Sequence, residues 1–443
     1  MPIERVPDTS LTYYLIAFDK KGRERGDDPD GGTLSRRALS DIAAQPPTDV
    51  FLISHGWKGD VPAAREQCNN WIRAMTMCPA DLARMRAARP EFRPLLIGLH
   101  WPSLPFGDED YGAGSAAFDM RAVPRIEELI ERYAERIADT PAARAALHEI
   151  FQSALDDDEP AQLPEKVADA YRTLNREAGL TNGGEGAAPG ADRESFDPET
   201  AYQNARASAG EDPVSFGQFR LSGLLAPLQQ FSFWKIKERA RVFGESGGYD
   251  LLGGIQNSAP KARVHLMGHS FGCIVVSAAT AGPGARGSLP RPVDTLFLVQ
   301  GALSFWSYSS KIAEAGGIPG YFHPILAGRM VAGAMLATTS EHDTAVGRFY
   351  PLGAGVKHQV AFVPGQLPKY GGLGAYGMQG PGTNAVSKNM LPIGASYGFH
   401  AGGAYNIEAS DYIRNGGGAS GAHSDITHPE VAHAFWEAVL AMG

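Results

Sequence analysis

The chain has 443 residues, 43% of them hydrophobic and 20% charged, and a net charge of −9. This is the make-up of a globular protein with a core of ordinary size, and the length suits a single core carrying a large insertion. The acidic balance and the lack of any Lys/Arg run exclude the nucleic-acid binders, which need clustered positive charge to displace counterions from phosphate. No apolar run reaches the roughly 18 residues expected of a membrane span.

Cys68, Cys78 and Cys273 are too few for a disulfide framework. Reduced thiols are expected, a Cys68–Cys78 bridge being reserved for a secreted protein. The opening MPIERVPDTS lacks the basic head and apolar run of a signal peptide, so the expected location is the cytoplasm.

In chain order, strands alternate with helices, the pattern of a largely parallel sheet covered on both faces. Leu11–Asp19 reads as a first strand in a hairpin closed by the Lys21–Gly22 turn. Asp49–Ser54 (DVFLIS) and Leu95–His100 (LLIGLH) are continuous apolar runs, as in strands buried on both faces. Arg263–Met267, Val293–Val299, Gly333–Thr338 and Tyr405–Ile407 complete the set. Helices are expected over Val61–Met77, Ile274–Ala281 and Pro429–Met442. The last has Thr427 and Glu430 at capping-box spacing, Pro429 in its first turn, and Val431, Phe435 and Val439 on one face.

Residues 103–230 break the alternation. Ile126, Leu129, Ile130, Tyr133 and Ile137 recur at helical spacing, as do Leu147, Ile150, Phe151 and Leu155, and then Val167, Tyr171 and Leu174. The expected organisation is therefore a core of residues 1–102 and 231–443 with a mainly helical insertion at 103–230, a cap or lid candidate. Within the insertion, Thr181–Ser195 is a Gly/Ala/acidic stretch that reads as a mobile loop. Pro351–His400 is loop-rich, with glycines, prolines and aromatics that suggest an ordered, functional loop.

The sharpest chemical signal is GHSFG, Gly268–Gly272, between the apolar strand RVHLM and the helical run CIVVSAA. A Ser on a tight strand-to-helix turn stands above the sheet with its hydroxyl exposed, at the positive end of the new helix. Ser270 is the candidate nucleophile; the plain alternative is a Gly-rich turn with a capping Ser. SHGW, Ser54–Trp57, ends an earlier strand. Attack by Ser270 would put negative charge on a carbonyl oxygen, and one amide donor to it is worth on the order of 3 kcal/mol. The backbone N–H groups of Phe271 and Trp57 are the candidate oxyanion donors, against the plain reading of SHGW as a strand-ending turn.

Position selects the base and the acid from the remaining residues. His423 lies in the Gly-rich GAHSDITHPE just ahead of the last helix. His428 belongs to the cap of that helix, His433 lies within it, and His400 sits in the preceding loop. Asp343 follows GAMLAT in a short polar loop, where a carboxylate would orient the imidazole; Glu341 is the runner-up. The earlier strand ends in QGALSFW, without a carboxylate. His269 reads as a neighbour packed beside the turn, and Asp425 as a local holder of the His423 loop. No cluster has metal-site spacing and no phosphate-binding glycine loop is present, so no metal or cofactor is expected.

With SHGW, GHSFG, Asp343 and His423, and with the strand LLIGLHWPS ending in Trp-Pro-Ser, the sequence resembles the α/β-hydrolase superfamily, in a lipase- and esterase-like branch. The resemblance covers about residues 10–102 and 231–443. It implies an α/β, doubly wound, mostly parallel sheet, and a Ser270–His423–Asp343 triad acting through an acyl-enzyme. The expected substrate is a small-molecule or lipid-like carboxylic ester. Other acyl enzymes, or a non-catalytic scaffold of the same fold, are the alternatives. Phe305, Trp306, Tyr308, Tyr370, Tyr376 and Met378 either line an acyl pocket or anchor core and loops.

Overall fold

The computed structural model describes residues 3–26, 32–57, 61–103, 126–157, 160–179, 195–207, 223–225, 227–349, 367–417 and 420–441. Among them, nine strands form one sheet: β1 (Ile3–Arg5), β2 (Thr12–Ala17), β3 (Asp49–Ser54), β4 (Pro94–His100), β5 (Arg263–His269), β6 (Thr295–Val299), β7 (Met335–Thr339), β8 (Val386–Asn389) and β9 (Ala404–Glu408). Their order is β1-β2-β4-β3-β5-β6-β7-β9-β8. Only the β1–β2 pair is antiparallel. Helices flank this sheet, and the architecture is doubly wound and resembles the topology of the α/β-hydrolase superfamily.

The buried strands are the continuous apolar runs. Every residue of β3 and of β6 is buried, because a central parallel strand is covered on both faces. The helix that follows β5 is α10 in a series that begins with α1 (Leu34–Ala44), α2 (Val61–Thr76) and α3 (Pro79–Ala88). The series continues through α4 (Ile126–Arg136), α5 (Pro141–Asp156), α6 (Glu165–Glu177), α7 (Pro198–Ala207), α8 (Leu228–Phe243) and α9 (Tyr249–Ser258) to α10 (Gly272–Ala281). All ten residues of α10 are buried, so it carries no polar face. A separate C-terminal helix spans Pro429–Leu440.

Between β4 and β5 the described residues hold helices and no strand, the large helical insertion of this fold. Sequence dictates its helix starts and faces. Thr140 caps α5 by accepting from Ala143 N–H at 3.1 Å, with Pro141 in the first turn. Ile130 and Tyr133 of α4 and Leu147, Ile150 and Phe151 of α5 are buried, and Tyr133 meets Phe151 edge-on at 5.2 Å.

The core fixes the C-terminal helix, and with it the loop that precedes it. Phe51 of β3 packs on His265 of β5 and edge-on against Phe435 and Trp436 of that helix. Truncating such a ring to Ala costs about 3–5 kcal/mol. The tie is also polar. His433 Nδ1 meets Asp81 of α3 at 2.6 Å, and Glu437 pairs with Arg84 and accepts from Tyr397 N–H at 3.0 Å.

Several sequence expectations are corrected. The antiparallel partner of β2 is the upstream β1, and the turn at Lys21–Gly22 closes only a Phe18–Glu24 bridge. β6 starts at Thr295, two residues later than expected, and β8 lies inside the loop-rich stretch. The capping box at Thr427–Glu430 does not form: His428 is the N-cap and makes no side-chain cap bond. All three cysteines are free. The expected mobile loop, apart from Ser195, lies outside the described residues, as do residues 351–366 and Met442. No helix among the described residues is long and apolar enough to cross a membrane.

Candidate active site

In this sheet the chain reverses direction of travel at β3. It fills β4 and β2 on one side and β5, β6, β7 and β9 on the other. Such a switch point opens a crevice at the carboxyl ends of the two central strands. The pairing of β3 with β5 sets Ser54 opposite Gly268, so SHGW and GHSFG leave adjacent strand ends side by side.

Ser270 occupies the turn between β5 and α10 with φ +56°, a left-handed conformation that side chains seldom adopt. A strained position of this kind costs of order 1–3 kcal/mol and persists only where its surroundings dictate it. Its N–H donates to Val299 O at 3.1 Å, and its carbonyl accepts from Ala302 N–H at 3.2 Å. The flanking glycines are required by contact. A Cβ on Gly272 would sit 2.4 Å from Ser54 O, and one on Gly56 2.7 Å from Ser270 Cβ. The SHGW and GHSFG turns therefore press closely together.

The structure brings Ser270, His423 and Asp343 into one hydrogen-bonded chain. His423 Nε2 is 2.8 Å from Ser270 Oγ, and His423 Nδ1 is 2.7 Å from Asp343 Oδ2. The carboxylate only accepts, so Nδ1 carries the proton and Nε2 accepts from the hydroxyl. Asp343 is buried at 1% exposure, and its charge is met by three donors. Besides His423 these are Val346 N–H on Oδ1 at 3.0 Å and Gln300 Nε2 on Oδ2 at 2.9 Å.

Gln300 escaped the sequence reading, which looked at that strand end only for a carboxylate. It follows β6 directly, has φ +45°, and is fully buried. Thr338 Oγ1 donates to its Oε1 at 2.8 Å, and Gly374 O accepts from its Nε2 at 3.3 Å. A flipped amide would face Oε1 toward two acceptors, so these partners fix the Nε2 donor on Asp343. The signal available in the sequence was a lone polar residue closing an apolar strand.

His269 lies beside the turn, its ring 4.9 Å from that of His423, and its Nε2–H donates to His423 O at 2.9 Å. Burial, and after it the neighbouring His423, push its pKa down to about 3, so it is neutral across the physiological range. Phe271 caps α10, and its N–H meets no acceptor among the described residues. Trp57 packs against Phe271 at 5.7 Å, and Phe233 of α8 touches both rings, at 5.7 Å and 5.1 Å. Helix α8, where the insertion rejoins the core, thus reaches the two residues singled out as oxyanion donors.

The competing residues lie elsewhere. His400 Nδ1 bonds Tyr405 OH at 2.6 Å, His428 Nε2 faces Asp425 at 2.8 Å, and Glu341 is exposed. Asp425 accepts from Arg414 and Asn415 N–H, pinning a local turn. Of the aromatic set, Phe305, Trp306, Tyr308, Tyr370 and Met378 are buried in packing contacts. Tyr376 instead borders a cleft of about 620 Å³ at the ends of β7, β8 and β9, shared with Thr339, Lys388, Tyr397, Asn406 and Glu408.

One His/carboxylate cluster within metal-binding distance does occur among the described residues: Asp81, His433 and Glu437. Its atoms are already engaged. His433 Nε2 bonds Ala395 O at 2.7 Å while Nδ1 holds Asp81, and Arg84 pairs with both carboxylates. Compared with protein-family models, curated proteins and solved structures, the chain matches none.

Proposed function

We propose that this protein is a serine hydrolase that cleaves carboxylic esters through an acyl-enzyme on Ser270. The observation that carries the reading is the hydrogen-bonded chain from Ser270 Oγ through His423 to buried Asp343, set on a left-handed turn at the head of α10. The SHGW, WPS and GHSFG motifs favour a lipase- or esterase-like member of the α/β-hydrolase superfamily. Residues 1–102 and 231–443 are assigned to the hydrolase core, and 103–230 to a mainly helical insertion, a candidate cap or lid.

His423 Nε2 takes the hydroxyl proton as Ser270 Oγ bonds the ester carbonyl carbon. The carbonyl oxygen takes up negative charge, held by the N–H groups of Trp57 and Phe271. The carbonyl re-forms as the C–O bond to the alcohol breaks, and His423 passes its proton to the departing oxygen. Water then gives a proton to His423 and attacks the acyl carbon. The acid leaves, and the proton returns to Ser270. Asp343 stabilises the imidazolium in both halves without taking the proton. An ester is favoured over an amide because an alkoxide leaves with less protonation.

Labelling with a fluorophosphonate probe, together with p-nitrophenyl ester turnover from acetate to palmitate, tests the reading. Wild type takes the probe; Ser270→Ala and His423→Ala do not, and both lose turnover. Turnover without Ser270-dependent labelling would refute it, as would a wild type that neither labels nor turns over.

A further inference from the structure

The sequence motifs HGW and HWPS meet in the structure at His55, which the mechanism above does not use. His55 is buried at the end of β3, and both of its ring nitrogens are engaged. Nε2 lies 3.3 Å from Trp101 N and 3.1 Å from His100 Nδ1; Nδ1 lies 2.8 Å from Gly56 O. A backbone N–H only donates, so Nε2 is the acceptor. Nδ1 then carries the proton and gives it to the Gly56 carbonyl. The tautomer is fixed by its neighbours. His100 and Trp101 also stack with the His55 ring, at 5.1 and 5.6 Å, and Trp101 Nε1 donates to His55 O at 3.2 Å.

The consequence lies one atom further along the backbone. The peptide between Gly56 and Trp57 is planar and trans, so its N–H points opposite to its C=O. His100 ends β4 and Trp101 follows it, on one flank of β3, while Ser270 follows the end of β5 on the other. A Gly56 carbonyl drawn onto the His55 ring therefore turns the Trp57 N–H away from β4, toward the side where Ser270 sits. Gly56 itself is packed against Ser270, so the donor has only a short distance to cover.

We propose that His55, locked by His100 and Trp101, is a positioning residue that holds the Gly56–Trp57 peptide with its N–H aimed at the oxyanion, so that this half of the hole exists before substrate arrives. The inference rests on the serine-hydrolase reading above. Without the latch the peptide is free to turn over, and the Gly56 carbonyl would then face the developing negative charge.

Three variants test it, read by kcat and KM on p-nitrophenyl butyrate, by inhibition with an aryl trifluoromethyl ketone, and by thermal unfolding. The ketone adds to Ser270 as a tetrahedral oxyanion, so its Ki reports the hole directly. His55→Leu removes the proton that holds Gly56 O. It lowers kcat by about 10²–10³-fold, the range for loss of one oxyanion donor, raises Ki by a similar factor, and leaves KM nearly unchanged. His55→Asn places an amide N–H near the position of Nδ1 and recovers most of both losses. Trp101→Phe removes one tie to His55 and gives a smaller change of the same kind, keeping the test open should His55→Leu fail to fold.

Unchanged kcat and Ki in folded His55→Leu would overturn the latch while leaving the hydrolase reading intact. So would losses confined to KM and melting temperature that Asn does not rescue. Wild-type turnover that survives Ser270→Ala would instead sink the hydrolase reading, and the latch with it.

Discussion

His269 is the place where folding stability and the site can be separated by pH. It is buried beside His423, and burial together with that neighbour pushes its pKa down to about 3. In the unfolded chain an imidazole titrates near 6.5. Below pH ~6.5 the unfolded state therefore binds a proton that the folded state refuses. Stability from this group is complete above that pH and drains away as pH falls toward 3, at about 1.4 kcal/mol per unit. Between pH 7.5 and 5.0 only the last ~1.5 units count, so His269 accounts for about 2 kcal/mol of lost stability. His269→Gln abolishes the titration yet keeps an N–H near the position that serves His423 O. Urea unfolding followed by tryptophan fluorescence at the two pH values gives the comparison. The loss on acidification shrinks by about 2 kcal/mol in the variant, and ester turnover at pH 7.5 stays within about tenfold of wild type, or 1.4 kcal/mol. His100, which burial also holds well below its ordinary value, contributes with the same sign but is present in both proteins and cancels. Equal acid losses in wild type and variant would refute the assignment.

Two further outcomes follow from named contacts. Gln300→Leu removes a donor to the Asp343 carboxylate and strands Thr338 Oγ1 and Gly374 O. A bond to a charged group is worth about 1.5–3 kcal/mol, so kcat/KM falls by about 10–100-fold with a lower melting temperature; unchanged kinetics would remove Gln300 from the site. The three thiols are buried, and burial pushes Cys68 and Cys78 up to about 12 and raises Cys273 further. Native protein at pH 8 therefore leaves Ellman's reagent unreacted, and all 3 cysteines react after denaturation; rapid reaction of the native protein would contradict this.

What the sequence discloses depends on how local the physics is. DVFLIS and LLIGLH are readable as strands because burial on both faces leaves a continuous apolar run. Ser270 stands out because strand, tight turn and helix are contiguous, and His423 and Asp343 because each occupies a loop at a strand or helix boundary. β1 has only three residues, and β8 (VSKN) is an edge strand with mostly exposed side chains, so neither carries a periodic signal. The Thr427–Glu430 spacing suggests a capping box that the chain does not make, since His428 takes the cap. Gln300, and the trio Asp81, His433 and Glu437, become meaningful only through partners far along the chain. Asp81 and His433 are 352 residues apart, and no local pattern encodes their contact.

The candidate site has a consequence for how the chain comes to life. Its hydroxyl and imidazole are 153 residues apart, and its imidazole and carboxylate 80. Only a fragment running from Ser270 to His423 or beyond holds all three groups. The entropy of closing those separations is spent before any bond between the groups repays it. During synthesis the amino-terminal strands and the helical insertion emerge first, and the imidazole follows late, just ahead of the C-terminal helix. On the serine-hydrolase reading proposed above, recovery of turnover after dilution from denaturant lags the return of helical circular dichroism, and turnover then serves as a clock for the last docking step of this fold.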